Sequence, residues 1–544
     1  MKKQSFFVFL LFLSCSIYGQ GTFSGDLMMN LNFFHKDTNI RASGNPLYDN
    51  ALSGSDGWLS MRYAINGFTF FARADAFNNS NLKVPQNANT DFGIGAWNIT
   101  KEMNDLTISV GSIYDQIGSG ILFRAYEDRG LLIDNALMGI ELKYKFSDHF
   151  GLKGFTGQLK NNNSDNNLVN NIRYAPVIKG LNAEGDYGIG KAHMTSGFGV
   201  LNRTLDAASM DVVATAINGQ ELSSRFVPKY NMYAFSVYNT LIYKNLSWYA
   251  EGVYKTNEAI EIVNLYDQAN GKLADRDGNV LYTSINYGRK GLALSLTGKR
   301  TEDFTMRTSP NEKILRGLLN WQPVVAVLRP LRLMSRYSPP SQDQSEMAGT
   351  ANLNISPNDV TSFTFTYTHI NTLTDQKLFR EAYAEGIYQG MDKWILEAGV
   401  QYLEYNLDAY QNRGMPVTLF AITPFAEVTY KVNDAKSIRF ETQYMNAQRD
   451  NGSWIFALLE YNIAPKWSFT ISDMYNSMQN EEKDNVNKSA KPSHYYSFFT
   501  AYTKGSNRFT LAYVKQVDGI NCSGGVCRYE PAFSGIKATI TSSF

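Results

Sequence analysis

Apolar and polar residues alternate along most of this chain in runs of about ten residues. In the run 437–444, one set is Ile438, Phe440, Thr442 and Tyr444, and the other is Arg439, Glu441 and Gln443. Residues two apart lie on the same face of a strand, so each run predicts a β-strand with one apolar and one polar face. The runs 394–402 and 508–516 repeat this pattern. A soluble β-sandwich also alternates, but it does not need charge on the hidden face of so many strands.

No apolar run after residue 20 approaches the length of about 20 residues that a membrane helix needs. A closed barrel is the other fold that satisfies every backbone hydrogen bond in lipid. The composition, with 33 Tyr, 33 Phe and 42 Gly, fits such a barrel. The pattern therefore predicts an all-β fold, a single large antiparallel transmembrane β-barrel.

Tight polar turns give the predicted number of strands. Eleven candidate turns are Asn66-Gly67, Asn104-Asp105, Ser147-Asp148, Gly190-Lys191, Lys244-Asn245, Arg289-Lys290, Asn358-Asp359, Asp392-Lys393, Asn433-Asp434, Ala464-Pro465 and Ser506-Asn507. With both chain ends on the side of these turns, eleven turns predict 24 strands, within an even-numbered range of about 18 to 26. Short periplasmic turns would then alternate with long extracellular loops.

The two ends of the chain predict export and insertion. Lys2 and Lys3 precede an apolar run from 6 to 13, which is typical of a secretory signal peptide with cleavage after Gly19. Lipidation at Cys15 is the alternative reading. The barrel would then occupy 20–544. The alternation that ends on Phe544 predicts a closing strand that the barrel insertion machinery reads, with both termini in the periplasm of a Gram-negative outer membrane.

Charge and cysteine content narrow the partners. Lys and Arg total 51 against 50 Asp and Glu, so nothing predicts binding to nucleic acid. Cys522 and Cys527 flank two glycines in an exported chain, and this spacing predicts a small disulfide loop at the cell surface.

The segment 111–139 departs from the strand pattern. It combines glycines with a dense set of polar and charged residues, namely Arg124, Glu127, Asp128, Arg129, Asp134 and Asn135. Charges of both signs at this density predict an ion-pair network that lines or partly fills the lumen. A contact to a ligand is a second reading, and a catalytic role is a third.

A second departure is the long basic loop 302–347. Its arginines include Arg316, Arg329, Arg332 and Arg336, and prolines at 323, 330, 339 and 340 argue against central strands. Three readings stay open for the part 307–340. It is an inward constriction loop, an outer cap that holds a partner, or two irregular strands with cationic lumen faces.

Three stretches carry a family resemblance: Gly111 through Asn135, the segment Ser345-Glu346-Met347-Ala348-Gly349, and Gly524-Gly525-Val526-Cys527-Arg528 with Pro531 and the terminal Phe544. The chain resembles an uncharacterised family of Bacteroidota outer-membrane barrels, a domain-of-unknown-function family. The resemblance covers the whole mature chain and implies the fold and the location. It brings no activity and no functional residues.

Enzyme chemistry has little support in the sequence. The five histidines include no His-Glu-x-x-His pair and no two at metal-ligand spacing, so we predict no metal, no cofactor and no catalytic residues. Two hypotheses of function follow. The barrel is a structural or scaffold subunit of an envelope assembly, secretion or uptake complex, in contact with lipid and with other envelope proteins. Alternatively, it is a porin-like channel for small polar solutes, with 307–340 as the constriction.

Overall fold

The structure is a computed structural model of the 544-residue chain. It describes residues 21–82, 87–161, 169, 172–262, 272–312, 316–340, 345–411, 417–447, 449–478, 493–523 and 526–544. The predicted signal peptide 1–19 lies outside the described residues and stays a prediction. No helix of the described residues is long and apolar enough to cross a membrane.

The chain forms a closed antiparallel β-barrel of 24 strands, as the turn count predicts. The barrel strands are Thr22–Phe34, Ser53–Ile65, Phe68–Ser80, Asn89–Met103, Leu106–Ile113, Leu137–Ser147, Phe150–Leu159, Val177–Ile189, Ala192–Thr204, Asn231–Tyr243, Leu246–Glu261, Leu273–Arg289, Leu292–Glu302, Glu346–Asn358, Thr361–Thr372, Lys377–Met391, Trp394–Asn406, Thr418–Asn433, Lys436–Ala447, Ser453–Ile463, Trp467–Met478, His494–Lys504, Asn507–Gln516 and Phe533–Ser543. Each strand pairs with its neighbour in the chain. The first pairs with the last, with Asp26 opposite Ser543 and Phe34 opposite Gly535, and this closes the wall.

Eleven short turns lie at one end of the barrel, together with the first strand's start and the residue Phe544. All eleven lie at or beside the predicted positions. Five of the observed turns lie one residue away from the predicted pairs. These turns are 148–149, 290–291, 359–360, 434–435 and 505–506. We call this end the short-turn side, and the opposite end the long-loop side.

The outer face of the wall is apolar. In the strand Lys436–Ala447, the side chains of Ile438 and Phe440 are exposed, whereas Glu441 and Gln443 are buried inside the barrel. The predicted assignment of faces is therefore confirmed for this strand. Aromatic residues gather on the outer face at the short-turn side, where the ring pairs Trp394–Tyr430 and Trp467–Tyr502 lie 4.6 and 4.5 Å apart.

Two segments between strands fold into the barrel. Inner segment A is 114–136, which joins the strands Leu106–Ile113 and Leu137–Ser147, and it is shorter at both ends than the predicted 111–139. It contains two small antiparallel pairs, Gln116–Ile117 with Phe123–Arg124 and Glu127–Asp128 with Ile133–Asp134. Inner segment B is 303–345, which joins Leu292–Glu302 and Glu346–Asn358. Its described residues include the 3-10 helix Met334–Tyr337 and no barrel strand, so the reading of 307–340 as two irregular strands is wrong.

Two apolar clusters, on opposite sides of the lumen, pack the inner segments against the wall. Ile117, Ile121 and Phe123 of segment A share one buried cluster with Phe304 and Leu319 of segment B. A second cluster contains Val325, Ala326, Leu333 and Tyr337 of segment B, with wall residues from 348 to 474. The remaining helical elements belong to loops at the long-loop side, namely the α-helices Ala207–Asn218 and Leu407–Gln411, the 3-10 helices Thr38–Ile40 and Leu222–Ser224, and the π-helix Leu47–Ala51.

Candidate functional site

The centre of the charged network is a wall residue, Arg73, on the strand Phe68–Ser80. Its guanidinium donates to Asp75 at 2.6 and 2.8 Å, to Glu127 at 2.5 Å and to Asp134 at 2.9 Å. The Arg73 side chain is 3 % exposed, so solvent screens these pairs little. Arg73 thus attaches inner segment A to the wall through two carboxylates of that segment, Glu127 and Asp134.

Asp134 is shared by two cations. Besides Arg73, the ammonium of Lys160 lies 2.7 Å from Asp134, and the Tyr114 hydroxyl donates to the same carboxylate at 2.9 Å. Burial alone would raise the pKa of Asp134, but the charges of Lys160 and Arg73 outweigh it and lower that pKa below its usual value. The carboxylate is therefore ionised at neutral pH, as the network requires.

The other residues predicted for this network make local contacts. Arg129 lies 3.2 Å from Glu127 and 3.3 Å from Asp26 of the first strand. Asp128 accepts from the backbone N–H of Leu131 at 3.0 Å. The structure brings Glu127, Arg129 and Asp134 together, and Asp128 lies beside them on the short strand Glu127–Asp128. The proposed role of the set in the lumen stays a prediction.

The two inner segments are joined to each other. Arg124 lies 4.7 Å from the ring centre of Tyr126 in its own segment and 4.7 Å from that of Trp321 in segment B. The backbone N–H of Arg124 donates to the carbonyl of Leu319 at 2.9 Å. Asn135 adds a bond from its amide to the Leu318 carbonyl at 3.3 Å. Segments A and B therefore form one layer across the lumen.

Segment B is fixed to the wall by Arg329. Its guanidinium donates to both oxygens of Glu381 at 2.9 and 3.1 Å and lies 3.6 Å from the ring centre of Tyr383. The side chains of Arg329 and Glu381 are 7 % and 1 % exposed. Both partners belong to the strand Lys377–Met391, so the loop is held by a two-bond, buried ion pair.

The other arginines predicted for segment B have separate surroundings. Arg336 lies 4.4 Å from the ring centre of Trp454. Burial, together with the charge of Arg336, lowers the pKa of Arg332. Arg316 is exposed, and its carbonyl accepts from Arg307 at 3.0 Å. The structure does not gather the four arginines at one place.

Sequence reasoning missed the wall partners. Arg73, which Asp75 orients from the same strand, anchors segment A, and Glu381 anchors segment B. The sequence did contain a signal for Arg73 and Asp75, because a charged residue on the inner face of a strand needs a partner of opposite sign. Nothing in the sequence shows which loop supplies that partner.

The predicted disulfide lies in a hairpin at the long-loop side. The strands Gly519–Ser523 and Val526–Glu530 pair, and Cys522 stands directly opposite Cys527. Residues opposite each other in an antiparallel pair have Cα atoms about 4.5–5.5 Å apart, which lies within the range that a disulfide bridges. The side chains of both residues lie outside what the structure describes, so the bond stays a prediction.

Labelling would test the bond and the orientation together. Because a disulfide blocks both thiols, a thiol-reactive, membrane-impermeant reagent is expected to label whole cells only after mild reductant. The Cys522→Ser variant leaves Cys527 unpaired and should be labelled without reductant. Labelling of the unmodified protein before reduction would contradict the pairing, and none after reduction would contradict surface exposure.

Phe544 completes the seam between the first and last strands. Its backbone N–H donates to the Gly25 carbonyl at 3.0 Å, and its carbonyl accepts from the Gly25 N–H at 2.8 Å. Its ring lies 6.1 Å from that of Phe23 on the outer face. This placement suits a terminal aromatic at the membrane interface; its recognition by the insertion machinery stays a prediction.

Deleting Phe544 is expected to reduce assembly. The variant loses both seam bonds and the terminal aromatic, so the membrane-embedded, heat-modifiable fraction should fall and the protease-sensitive fraction should rise. Phe544→Tyr, which keeps an aromatic ring, serves as the control. Unchanged assembly of the deletion variant would argue against an insertion signal at this residue.

No group of three or more His, Cys, Asp and Glu side chains in the described parts of the chain could hold a metal ion. A family described as a family of unknown function, DUF6029, has a sequence model that matches residues 1–544. No curated protein matches the chain.

Solved structures share the barrel shape at low identity. The siderophore receptor PirA from Pseudomonas aeruginosa matches with 8 % identity and a TM-score of 0.41, over 97 % of this chain and 81 % of PirA. The P pilus usher PapC translocation pore matches with 8 % identity and a TM-score of 0.44, over 96 % of this chain and 99 % of the pore. A P pilus tip assembly intermediate from E. coli, with PapC, PapD, PapK and PapG, gives 9 % identity and a TM-score of 0.49, over 96 % and 60 %. Similarity at this level concerns the fold and carries no argument about function.

Proposed function

This chain belongs to the DUF6029 family, and from its geometry we propose that it is an outer-membrane β-barrel that serves as a structural or scaffold subunit of an envelope assembly, secretion or uptake complex. The observation that carries the proposal is the layer formed by inner segments A and B. The layer is bonded to the wall on one side by Arg73 and on the other by Arg329. A barrel filled in this way suits a scaffold better than a free pore.

The outer face of the wall supports a location in a lipid bilayer. Large apolar side chains are exposed on this face, among them Val237, Leu281, Ile471, Phe498 and Leu511. A soluble protein rarely exposes so much contiguous apolar surface. Lipid and the barrel insertion machinery are then the general partners of the chain. We propose that the short-turn side, with both ends of the barrel domain, faces the periplasm.

The alternative function is a porin-like channel for small polar solutes, with 307–340 as the constriction. One observation favours it: the described residues of 307–340 lie inside the barrel, where the backbone N–H of Leu333 donates to the Gln443 side chain at 2.9 Å. A constriction must occupy such a position. The same placement argues against the reading of this segment as an outer cap.

Bilayer recording and gentle extraction would separate the two functions. A scaffold subunit should be electrically silent, and mild detergent should recover it with stoichiometric partners that are lost when loops at the long-loop side are shortened. The helix Ala207–Asn218 and its flanks offer such a loop, and the short turn at 190–191 offers a matched control. A conducting monomer without partners, whose current moves towards cations when Arg329, Arg332 and Arg336 are replaced by glutamine, would contradict the scaffold and support the channel.

A further inference from the structure

A cavity of about 520 Å³ lies between the inner face of the wall and inner segment A at the short-turn side. Gln116 and Gly118 of the segment form one side of it, and strands from 137–147 to 246–261 form the other. The volume lies within the range of sites that bind small organic molecules. The cavity is separate from the Arg73 and Arg329 contacts that hold the inner layer.

One end of the cavity is cationic. Lys143 and Lys153 stand opposite each other on neighbouring strands, and Lys145 follows on the same face as Lys143. Asp115 of segment A lies 2.8 Å from Lys143 and 3.0 Å from Lys153, and Glu141 of the wall lies 3.0 Å from Lys143. Lys145, by contrast, is exposed and pairs with no carboxylate among the residues that the structure describes. Lys143 and Lys153 therefore already have carboxylate partners in Asp115 and Glu141, and the ammonium of Lys145 is left for an anion from outside the chain.

The other end of the cavity is polar and aromatic. The Tyr238 hydroxyl lies 3.0 Å from the Asn182 side-chain oxygen and 2.9 Å from Glu184. A hydroxyl carries one hydrogen, so only one of these acceptors can take it at a time and the other can accept from a ligand. Tyr249, on the next strand, adds a second ring to the lining. Hydrogen-bond acceptors beside aromatic rings suit a molecule that carries several hydroxyl groups.

We propose that this cavity binds an anionic saccharide, with a carboxylate or phosphate against Lys145 and ring hydroxyls against Asn182 and Glu184. The site goes beyond the proposed function. A saccharide reaches the cavity from the short-turn side without crossing the inner layer, so binding does not depend on whether the barrel conducts. Lysine attracts an anion as a point charge, without the two parallel hydrogen bonds that arginine makes. The affinity for the acidic sugar should therefore fall as the salt concentration rises.

Calorimetric titration of the full chain in detergent would test the site. The probes are digalacturonic acid, sucrose 6-phosphate and uncharged sucrose, with the acidic dipeptide Ala-Glu as an anion that is not a sugar. We expect both acidic sugars, or one of them, to bind more tightly than sucrose and Ala-Glu. The comparison between the carboxylate and the phosphate identifies the preferred anion.

Variants then locate the site. Lys145→Gln is expected to weaken the acidic sugar about tenfold, the loss of one charge-assisted contact, and to leave sucrose unchanged. Lys191→Gln is the matched control, because Lys191 is exposed at the neighbouring short turn and does not line the cavity. A second variant, Tyr249→Phe, removes the hydroxyl of Tyr249 and keeps the aromatic ring that lines the cavity.

Three results would overturn the proposal: no binding of either acidic sugar, equal binding of Ala-Glu, or equal weakening by Lys191→Gln. None of these measurements requires conduction or a partner protein. Failure of the saccharide site therefore leaves the scaffold proposal standing, and a conducting, partnerless barrel would leave the saccharide site standing.

Discussion

Replacing Arg329 by alanine is expected to open a pathway through the inner layer. The substitution leaves Glu381 buried without its cation, and breaking a buried ion pair in this way costs about 3–5 kcal/mol. If that energy holds segment B against the wall, the ratio of open to closed barrels rises by a factor of roughly 10²–10⁴. Planar-bilayer recording should then show conducting steps for Arg329→Ala and none for the unmodified chain.

Two further variants make the result specific. Arg316→Ala removes an arginine of the same segment that is exposed, so it should remain silent. The double variant Arg329→Met with Glu381→Leu replaces both charges by apolar groups and should close the barrel again, because no buried charge is left unpaired. Equal currents from Arg329→Ala and Arg316→Ala would show that the ion pair does not hold segment B.

Replacing Arg73 by alanine is expected to cause the largest loss of stability. Asp75, Glu127 and Asp134 would face one another, and among the described residues Lys160 and Arg129 are the remaining cations in ion pairs with them. The expected cost is about 3–5 kcal/mol, and part of it should appear as release of segment A from the wall. The midpoint of urea unfolding in detergent and the rate of proteolysis within 114–136 would measure both effects.

Arg62→Ala is the control for this experiment. Arg62 lies on the neighbouring strand, is exposed, and stacks 5.6 Å from the ring centre of Phe71. Arg73→Lys keeps the charge but cannot donate two parallel bonds to Asp75, so it should lie between the unmodified chain and Arg73→Ala. If the Arg62 and Arg73 variants unfold alike, the network does not stabilise the fold.

The barrel could be predicted from the sequence because lipid imposes a strict rule on every strand. One face must be apolar throughout, so alternation in single strands gave the fold class, and the eleven turns gave 24 strands. Two of the displaced turns have a local cause. Gly291 and Gly505 adopt positive φ angles of 76° and 58°, a conformation that glycine takes easily, and this places the turn one residue away from the predicted pair.

The inner layer could not be predicted in the same way. Trp321 and Arg124 are in contact although nearly two hundred residues separate them in the sequence. Arg329 pairs with Glu381, which lies on the third barrel strand after segment B. Such contacts follow from where loops fold after the wall has formed, and no periodicity records that. Composition did indicate that 111–139 and 302–347 differ from strands, but neither the partners nor the cavity beside Lys145 left a pattern.

The pairing of the first strand with the last has a consequence for how the chain is made. Asn30 and Thr539 share a hydrogen bond although they are 509 residues apart, so the wall cannot close until the strand Phe533–Ser543 has been synthesised. Until then the growing sheet has two open edges, which readily pair with other chains. Such high contact order also makes folding slow. The cell must therefore keep a nearly complete, aggregation-prone polypeptide unfolded during its transit, and the demand for chaperones should rise with the rate of expression.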